Sequence, residues 1–214
     1  GFAEDTGTNL VGESAGMMHE RSRWSKFELA TLSWGAGLAI TPAQLTRFYM
    51  ALANGGIKRK LSIVKFNDET VEPDDQERIF SKENSIAVTN MLEAVVDDHT
   101  PKAKIAGYRV GGKTGTAQLV SKKQDEKYDA NLVKESQRHN AMFVSFAPYE
   151  KPEIVVAVAV ENVAKGGGGT NAGPVARQIM DQYFGNREVI SKDISRHPQH
   201  DNTYGVSKKK SRQN

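Results

Sequence analysis

Apolar residues recur every three or four positions between Thr41 and Gly56, and this spacing predicts the first clear helix of the chain. Thr41 can cap the helix with its hydroxyl, Pro42 fits the first turn, and Asn54-Gly55-Gly56 ends it. The face that should contact the core carries Leu45, Phe48, Tyr49 and Leu52.

The same spacing predicts two more helices, the second from about Glu83 to Asp97 and the last from about Asn171 to Phe184. The last helix follows a run of glycines from Gly166 to Gly169, which lacks a following Lys-Ser or Lys-Thr pair. Such a run is typical of a mobile loop near a site rather than of a phosphate cradle. Residues 1–33 are rich in Gly, Ser and charge with weak periodicity, so a loop-dominated segment is expected there.

Runs of β-branched and alternating residues predict four strands. Leu61–Phe66 should form a short strand, and Arg109–Val120 a glycine-containing strand whose backbone can be approached closely. The strands Ala141–Ala147 and Ile154–Val160 are joined by a Pro-containing turn and should pair as an antiparallel hairpin.

Three polar segments are predicted to lie on the surface: an excursion at 67–77, a charged insertion at 121–138, and a disordered basic tail at 187–214. The helices and strands between them indicate an α+β fold with helices packed on an antiparallel sheet. The sequence therefore predicts one domain over residues 1–186, followed by the tail.

The composition of the 214 residues is that of an ordinary globular domain, with 38% hydrophobic and 26% charged residues. The longest purely apolar run, Ile154–Val160, is far shorter than the roughly 20 residues of a membrane-spanning helix. The absence of cysteine excludes a disulfide scaffold and the usual zinc sites, and the five scattered histidines favour no metal site. The net charge of +3 owes much to the basic end of the chain, which indicates a solvated tail rather than a nucleic-acid surface.

The segment from Gly107 to Ala117 fits two incompatible motifs. Gly107 and Gly112-Lys113-Thr114 satisfy G-x-x-x-x-G-K-[ST], the phosphate loop of nucleotide triphosphatases. A phosphate loop must follow a buried apolar strand and run straight into a helix. Here the preceding flank at 101–106 is polar and the following flank at 115–120 is strand-like, so both flanks argue against a phosphate loop.

The second motif is the Lys-Thr-Gly box of penicillin-binding enzymes and β-lactamases, which lies on an edge strand beside an active-site serine. There the Lys113 ammonium would attract an anionic carboxylate and assist proton movement around the serine. The Thr114 hydroxyl would bind the carboxylate, and Gly115 would let an extended peptide lie against the strand. The Thr116 N–H would help to stabilise an oxyanion. A glycine-rich surface strand without chemistry is the alternative for so short a match.

Longer blocks accompany the box along the chain: GFAEDTG from Gly1 with GE at Gly12, ATLSWGAGLAITPAQLTRFYMALANGG from Ala30, GYRVGGKTGTAQ from Gly107, and FVSFAPYEKPEIVVAVAVEN from Phe143. In this order they resemble the second half of the transpeptidase domain of a class B penicillin-binding protein. The resemblance covers about residues 1–184 and implies part of the penicillin-binding, β-lactamase-like transpeptidase fold.

The resemblance implies a peptidoglycan D,D-transpeptidase that forms an acyl-enzyme through a serine, releases a terminal D-Ala and passes the peptide to a neighbouring stem. It implies peptidoglycan stem peptides as substrates, β-lactams as inhibitors, cell-wall synthesis proteins as partners, and no cofactor. The catalytic residues that it assigns are Lys113 and Thr116, and the substrate-binding residues are Lys113, Thr114, Gly115 and Thr116.

The serine itself is expected elsewhere. The chain begins at Gly1 with neither an initiator Met nor an apolar leader, which predicts a piece of a longer polypeptide. By the resemblance, the S-x-x-K and S-x-N boxes and an anchor to the extracytoplasmic face of the membrane should lie in the upstream half. Without the nucleophile, a non-catalytic cell-wall binding fragment is an alternative function.

Two S-x-x-K matches within the chain, Ser62–Lys65 and Ser207–Lys210, are predicted not to be catalytic. The nucleophile should open a helix, whereas the first match is strand-like and the second lies in the tail. The subtype features divide along the chain: the part through Gln118 resembles division-type enzymes, and the part after about residue 128 resembles elongation-type ones.

Overall fold

The computed structural model describes residues 1–8, 10–63, 76–118 and 138–185. In these ranges the strands are β1 (Met17–Met18), β2 (Leu38–Ala39), β3 (Ile57–Lys58), β4 (Glu77–Arg78), β5 (Gly111–Gln118), β6 (His139–Ala147) and β7 (Ile154–Val163). The helices are α1 (Lys26–Leu32), α2 (Pro42–Ala53), α3 (Lys82–Ala94), α4 (Gly168–Asn171) and α5 (Gly173–Gly185). No helix of the described ranges is both long and apolar enough to cross a membrane.

The main sheet has three antiparallel strands in the order β5-β6-β7. The predicted hairpin is confirmed as β6 and β7, which extend slightly beyond the predicted bounds. The remaining strands form two separate pairs of two residues each, β1 with β2 and β3 with β4. The strands of the regular sheet therefore all come from the second half of the described chain.

Helices cover both faces of this sheet, which confirms the predicted α+β architecture. On one face, the fully buried Phe143 packs with residues of α5, among them Met180 and Phe184. On the other face, Phe146 packs with Leu52 of α2 and Leu92 of α3. Since successive side chains of a strand point to opposite faces, alternate residues of β6 supply both cores.

Helix α2 forms where the sequence predicts it. Thr41 accepts a hydrogen bond from the Gln44 N–H, the Gln44 side chain accepts one from the Thr41 N–H, and Pro42 occupies the first turn. The buried residues of α2 include Gln44 and Arg47, whose exposed fractions are 1% and 5%, beside the apolar Ala51 and Leu52. Two polar residues, Gln44 and Arg47, are thus buried beside the apolar face that the sequence predicts.

Helices α3 and α5 differ from prediction at their ends. Helix α3 begins at Lys82, where Ser81 caps it, and its last residues widen into a π turn over Val95–His99. The predicted start of the last helix at Asn171 falls instead in the short helix α4, and α5 begins at Gly173. Only Ala172 separates the two pieces, and α5 opens with Gly173-Pro174, two residue types that do not continue a helix well.

One expectation for the first half of the chain is confirmed and one is wrong. Residues 1–33 are mostly loop, as predicted, although Ser25 and Glu28 form a capping box that starts α1. The predicted strand Leu61–Phe66 is absent over the described residues 61–63, and the strand of this region is β3. The rest of that predicted strand, the excursion, the charged insertion up to residue 137 and the basic tail lie outside the described residues.

Candidate active site

The Lys-Thr-Gly box lies in the middle of β5, at an edge of the main sheet. Over the described residues β5 pairs on one side only, with β6, and Lys113, Thr114, Gly115 and Thr116 lie opposite Val144, Phe143, Met142 and Ala141. The predicted edge strand is therefore confirmed. The extended backbone continues to Gln118, so Lys113-Thr114 does not open a helix and the phosphate-loop motif is excluded.

Side-chain alternation divides the box between the two faces of the strand. Thr114 and Thr116 lie on the face of the sheet that α4 covers. A Cβ at Gly169 would lie 3.5 Å from Thr114 Cγ2, and a Cβ at Gly167 would lie 2.9 Å from Thr116 Oγ1. Lys113 is exposed, and its Nζ donates to the Thr114 carbonyl oxygen at 2.9 Å. The ammonium and the two hydroxyls thus border the same edge from opposite faces.

The three glycines of β5 have different surroundings. A Cβ at Gly111 would collide with the Phe146 ring, and a Cβ at Gly112 would lie 2.7 Å from Phe143 Cζ and 2.9 Å from the Val144 carbonyl oxygen. These two glycines therefore make room for side chains of the same sheet. Gly115 differs, because its Cβ would meet only Met142, at 3.3 Å or more. Of the three, Gly115 best fits the predicted role of admitting a substrate.

Residues Gly166–Gly169, here called the glycine turn, lie against the box. A Cβ at Gly168 would collide with the Met142 carbonyl oxygen and would lie 2.9 Å from that of Gly115. Only a residue without a side chain fits this close to two strand backbones. The predicted location near the site is confirmed, and the turn packs directly on β5 and β6.

Side chains at both ends fasten the glycine turn. The Gly167 N–H donates to Thr170 Oγ1 at 3.0 Å, and Asn171 Nδ2 donates to the Lys165 and Gly167 carbonyl oxygens at 3.1 and 3.2 Å. From the sheet, His139 Nε2 contacts the Gly166 carbonyl oxygen. Hydrogen bonds thus hold the turn at both ends, and its mobility stays a prediction.

A charged cluster around Arg109 holds the chain segment that leads into β5. Arg109, two residues before the strand, bonds both carboxylate oxygens of Glu93 on α3, and its Nη1 lies 2.9 Å from Glu150 Oε1 in the turn after β6. Its guanidinium carbon lies 4.3 Å from the centroid of the Tyr149 ring. The hydrogen bonds from Arg109 to Glu93 raise the pKa of the guanidinium above its usual range. Arg109 therefore stays charged and joins α3, β5 and the hairpin turn.

The sequence located the box but missed the residues that hold its surroundings. In the sequence His139 is a polar residue just after the charged insertion, and only the fold brings it to Gly166. Ser62, the first residue of the rejected S-x-x-K match, is exposed, and residues 61–63 are not helical. The described ranges contain no cluster of three or more His, Cys, Asp or Glu side chains that could hold a metal ion.

Curated relatives match most of the chain. Stage V sporulation protein D of Bacillus subtilis is 38% identical over 192 residues, which are 84% of this chain and 28% of the relative. Peptidoglycan D,D-transpeptidase FtsI of Escherichia coli K12 is 35% identical over 84% of this chain and 29% of the relative. Peptidoglycan D,D-transpeptidase MrdA of Haemophilus influenzae is 30% identical over 87% of this chain and 32% of the relative. The chain thus spans under a third of the length of these relatives, and the subtype stays a prediction.

Solved structures give the same result. The transpeptidase domain of Burkholderia pseudomallei penicillin-binding protein 3 has a TM-score of 0.70 at 37% identity, covering 84% of this chain and 52% of that one. Penicillin-binding protein 3 of Mycobacterium tuberculosis, in complex with ampicillin, has a TM-score of 0.73 at 29% identity, covering 87% of this chain and 43% of that one. The sequence profile of the penicillin binding protein transpeptidase domain matches residues 1–181. The chain therefore belongs to the penicillin-binding protein transpeptidase family.

Proposed function

We propose that this chain supplies the substrate-binding strand of a peptidoglycan D,D-transpeptidase, in which the serine nucleophile comes from the upstream half of the same domain. The observation that carries the proposal is the position of Lys113-Thr114-Gly115-Thr116 at the edge of the sheet, with the glycine turn packed beside both threonines. The length of the match supports it, because the chain covers only 52% of a solved transpeptidase domain.

The open side of β5 suits an extended peptide. An added strand bonds the backbone of an edge strand, and side-chain bulk on that strand would hold it off. Gly115 removes this bulk at the centre of the box. A stem peptide that ends in a free carboxylate would place this charge near the hydroxyls of Thr114 and Thr116 and the ammonium of Lys113. Charge-assisted hydrogen bonds of this kind are roughly twice as strong as neutral ones.

In the proposed reaction, the serine oxygen attacks the carbonyl carbon of the peptide bond to the terminal D-Ala. The Thr116 N–H stabilises the oxyanion of the tetrahedral intermediate. The bond to the D-Ala nitrogen breaks, the amine takes a proton and leaves, and an ester to the serine remains. The amine of a neighbouring stem peptide then attacks the ester, forms the cross-link and returns the proton to the serine. Lys113 favours these proton movements through its positive potential.

The same residues would bind β-lactams, since a penicillin carries a carboxylate next to a reactive amide. Structures of Mycobacterium tuberculosis penicillin-binding protein 3 contain ampicillin or aztreonam. We extend this ligand class to the present site. Cell-wall synthesis proteins as partners and an extracytoplasmic location with an upstream anchor complete the proposal.

The first half of the described chain has surface for the upstream half to cover. Helix α1 buries none of its residues. Large apolar side chains of this region are more than half exposed: Leu10, Val11, Met17, Phe27, Leu29 and Trp34. We infer that the upstream half covers these side chains, since large apolar surfaces of soluble proteins are usually interaction sites.

Labelling with a fluorescent penicillin, read as the intact mass of the covalent adduct, tests the proposal. The chain alone should not be labelled, whereas the longer polypeptide with the upstream half should be, and Lys113→Ala should abolish rapid labelling. A matched control is Lys151→Ala, at an exposed lysine in the turn after β6. Labelling of the chain alone would place a nucleophile within it, and unchanged labelling of Lys113→Ala would refute the proposed role of the box. Binding of a penicillin without an adduct in the longer polypeptide would favour a non-catalytic fragment.

A further inference from the structure

We propose that His139 is a positioning residue of this site: it fastens the glycine turn to the sheet and thereby sets the room around the Thr116 hydroxyl. The inference rests on the proposed transpeptidase function. It concerns a histidine outside the Lys-Thr-Gly box, which acts on the box through the glycine turn.

The ladder places His139 at one end of the sheet. As the first residue of β6, it lies opposite Gln118 of β5 and Val163 of β7. Gly166 lies three positions beyond Val163, and its carbonyl oxygen accepts the hydrogen bond of His139 Nε2. The imidazole therefore bridges the end of the sheet and the start of the glycine turn.

A bulge in β7 shapes this end. The register passes from His139 opposite Val163 to Ala141 opposite Val160, so two residues of β7 face the single residue Asn140. One of the two is Asn162, which has a φ of 58° and donates its N–H to Asn140 Oδ1 at 3.1 Å. Bulges bend a strand and so redirect the chain beyond them. The bulge thus sends the chain from β7 back toward His139.

From Gly166 the effect passes to the box by direct contact. The next residue, Gly167, is the one whose Cβ would lie 2.9 Å from Thr116 Oγ1, and Gly168 packs on the Gly115 carbonyl oxygen. Thr170 and Asn171 bond the turn from within α4, which begins at Gly168, and not from the sheet. Without His139, the turn loses a side-chain hydrogen bond to the sheet, and the space beside Thr116 is held by the packing of the turn on β5 and β6 alone.

The test is the second-order rate constant of acylation by a fluorescent penicillin, measured on the longer polypeptide. His139→Ala should lower this constant about fivefold, the usual net effect of one hydrogen bond. His139→Gln should restore most of the rate, because its amide can donate to the same carbonyl oxygen. The control is His99→Ala, at an exposed histidine of the π turn, which should keep the wild-type rate.

A double-mutant cycle separates positioning from general loss of structure. In a Thr116→Val background the hydroxyl beside Gly167 is gone, so His139→Ala should lower the rate no further. If His139→Ala does not fold, His139→Gln and His139→Met, which are similar in length with and without a donor, give the same comparison. Wild-type acylation by His139→Ala, or fully additive effects in the cycle, would overturn the inference.

The proposed function can fail separately. If the unmutated longer polypeptide is not acylated, or if Lys113→Ala is acylated at the wild-type rate, the transpeptidase assignment itself is wrong. If these two controls behave as expected and only the His139 variants do not, the error lies in the positioning role alone.

Discussion

Two glycine-to-alanine substitutions in β5 should have opposite consequences, although they lie three residues apart. At Gly112 the new methyl group would lie 2.7 Å from Phe143 Cζ and 2.9 Å from the Val144 carbonyl oxygen. Phe143 is fully buried, so neither the ring nor the backbone can move away freely. At Gly115 the methyl group would meet Met142 Cε at 3.3 Å, the flexible end of a side chain.

The magnitudes can be worked out from these contacts. Overpacking of a core costs about 1–3 kcal/mol, and replacing a strand glycine by alanine returns about 0.5–1 kcal/mol of backbone entropy. Neither glycine has a positive φ, so alanine adds no backbone strain at either position. Gly112→Ala should therefore lower the free energy of unfolding by about 1–2 kcal/mol, whereas Gly115→Ala should leave it unchanged or raise it by about 0.5 kcal/mol.

The acylation rate should respond more strongly to Gly115→Ala than to Gly112→Ala, the reverse of the effect on stability. Gly115→Ala puts a methyl group on the strand where the substrate is proposed to lie, so acylation by a fluorescent penicillin should fall about tenfold without loss of stability. The assays are urea unfolding followed by far-UV circular dichroism, and the acylation rate, both on the longer polypeptide. Equal urea midpoints for Gly112→Ala and the wild type would refute the packing argument. A normal acylation rate for Gly115→Ala would refute the role given to that glycine.

Three further outcomes are expected. Phe143→Ala should lower the free energy of unfolding by about 3–5 kcal/mol, because it opens a cavity between the sheet and α5, and a urea midpoint near that of the wild type would contradict this core assignment. Arg47→Met should make residues 1–16 more susceptible to limited proteolysis, since it removes the bonds from Arg47 to the Gly1 and Asp5 carbonyl oxygens, while exposed Lys26→Met should not. Burial raises the pKa of Tyr49 to about 12, so the folded state holds this proton between pH 10 and 12 after the unfolded state has released it. Stability should fall by up to about 2.7 kcal/mol as pH rises through this window, and Tyr49→Phe should lose less than the wild type; equal losses would contradict the assigned burial.

Elements with local signals were predictable from the sequence. Helix α2 has a capping threonine, a proline in its first turn and a glycine pair after its end, and all of these signals act within a few residues. The hairpin of β6 and β7 was found for the same reason, because its strands are adjacent along the chain. The Lys-Thr-Gly box lay within a strand because its glycines and threonines disfavour a helix.

The remaining features depend on contacts between distant parts of the chain. His139 and Gly166 are far apart in sequence, and no local pattern indicates that they meet. Gln44 and Arg47 belong to residue types that are usually exposed, yet the first residues of the chain cover them. The capping box of α1 was a local signal that was present and overlooked, because the glycine and charge content of its surroundings suggested a loop.

The burial of Gln44 and Arg47 has a consequence for how this family can diverge. Gln44 Nε2 donates to the carbonyl oxygens of Glu4 and Ala15 at 2.8 and 2.7 Å, and Arg47 donates to those of Gly1 and Asp5. Every amino acid has a carbonyl oxygen, so these bonds fix the path of the first segment without depending on its side chains. Substitutions at Asp5 or Ala15 therefore leave the bonds from Arg47 and Gln44 in place. Glu4 and Gly16 are less free to change, because the Glu4 carboxylate also bonds Arg47 and a Cβ at Gly16 would collide with the Ala39 carbonyl oxygen.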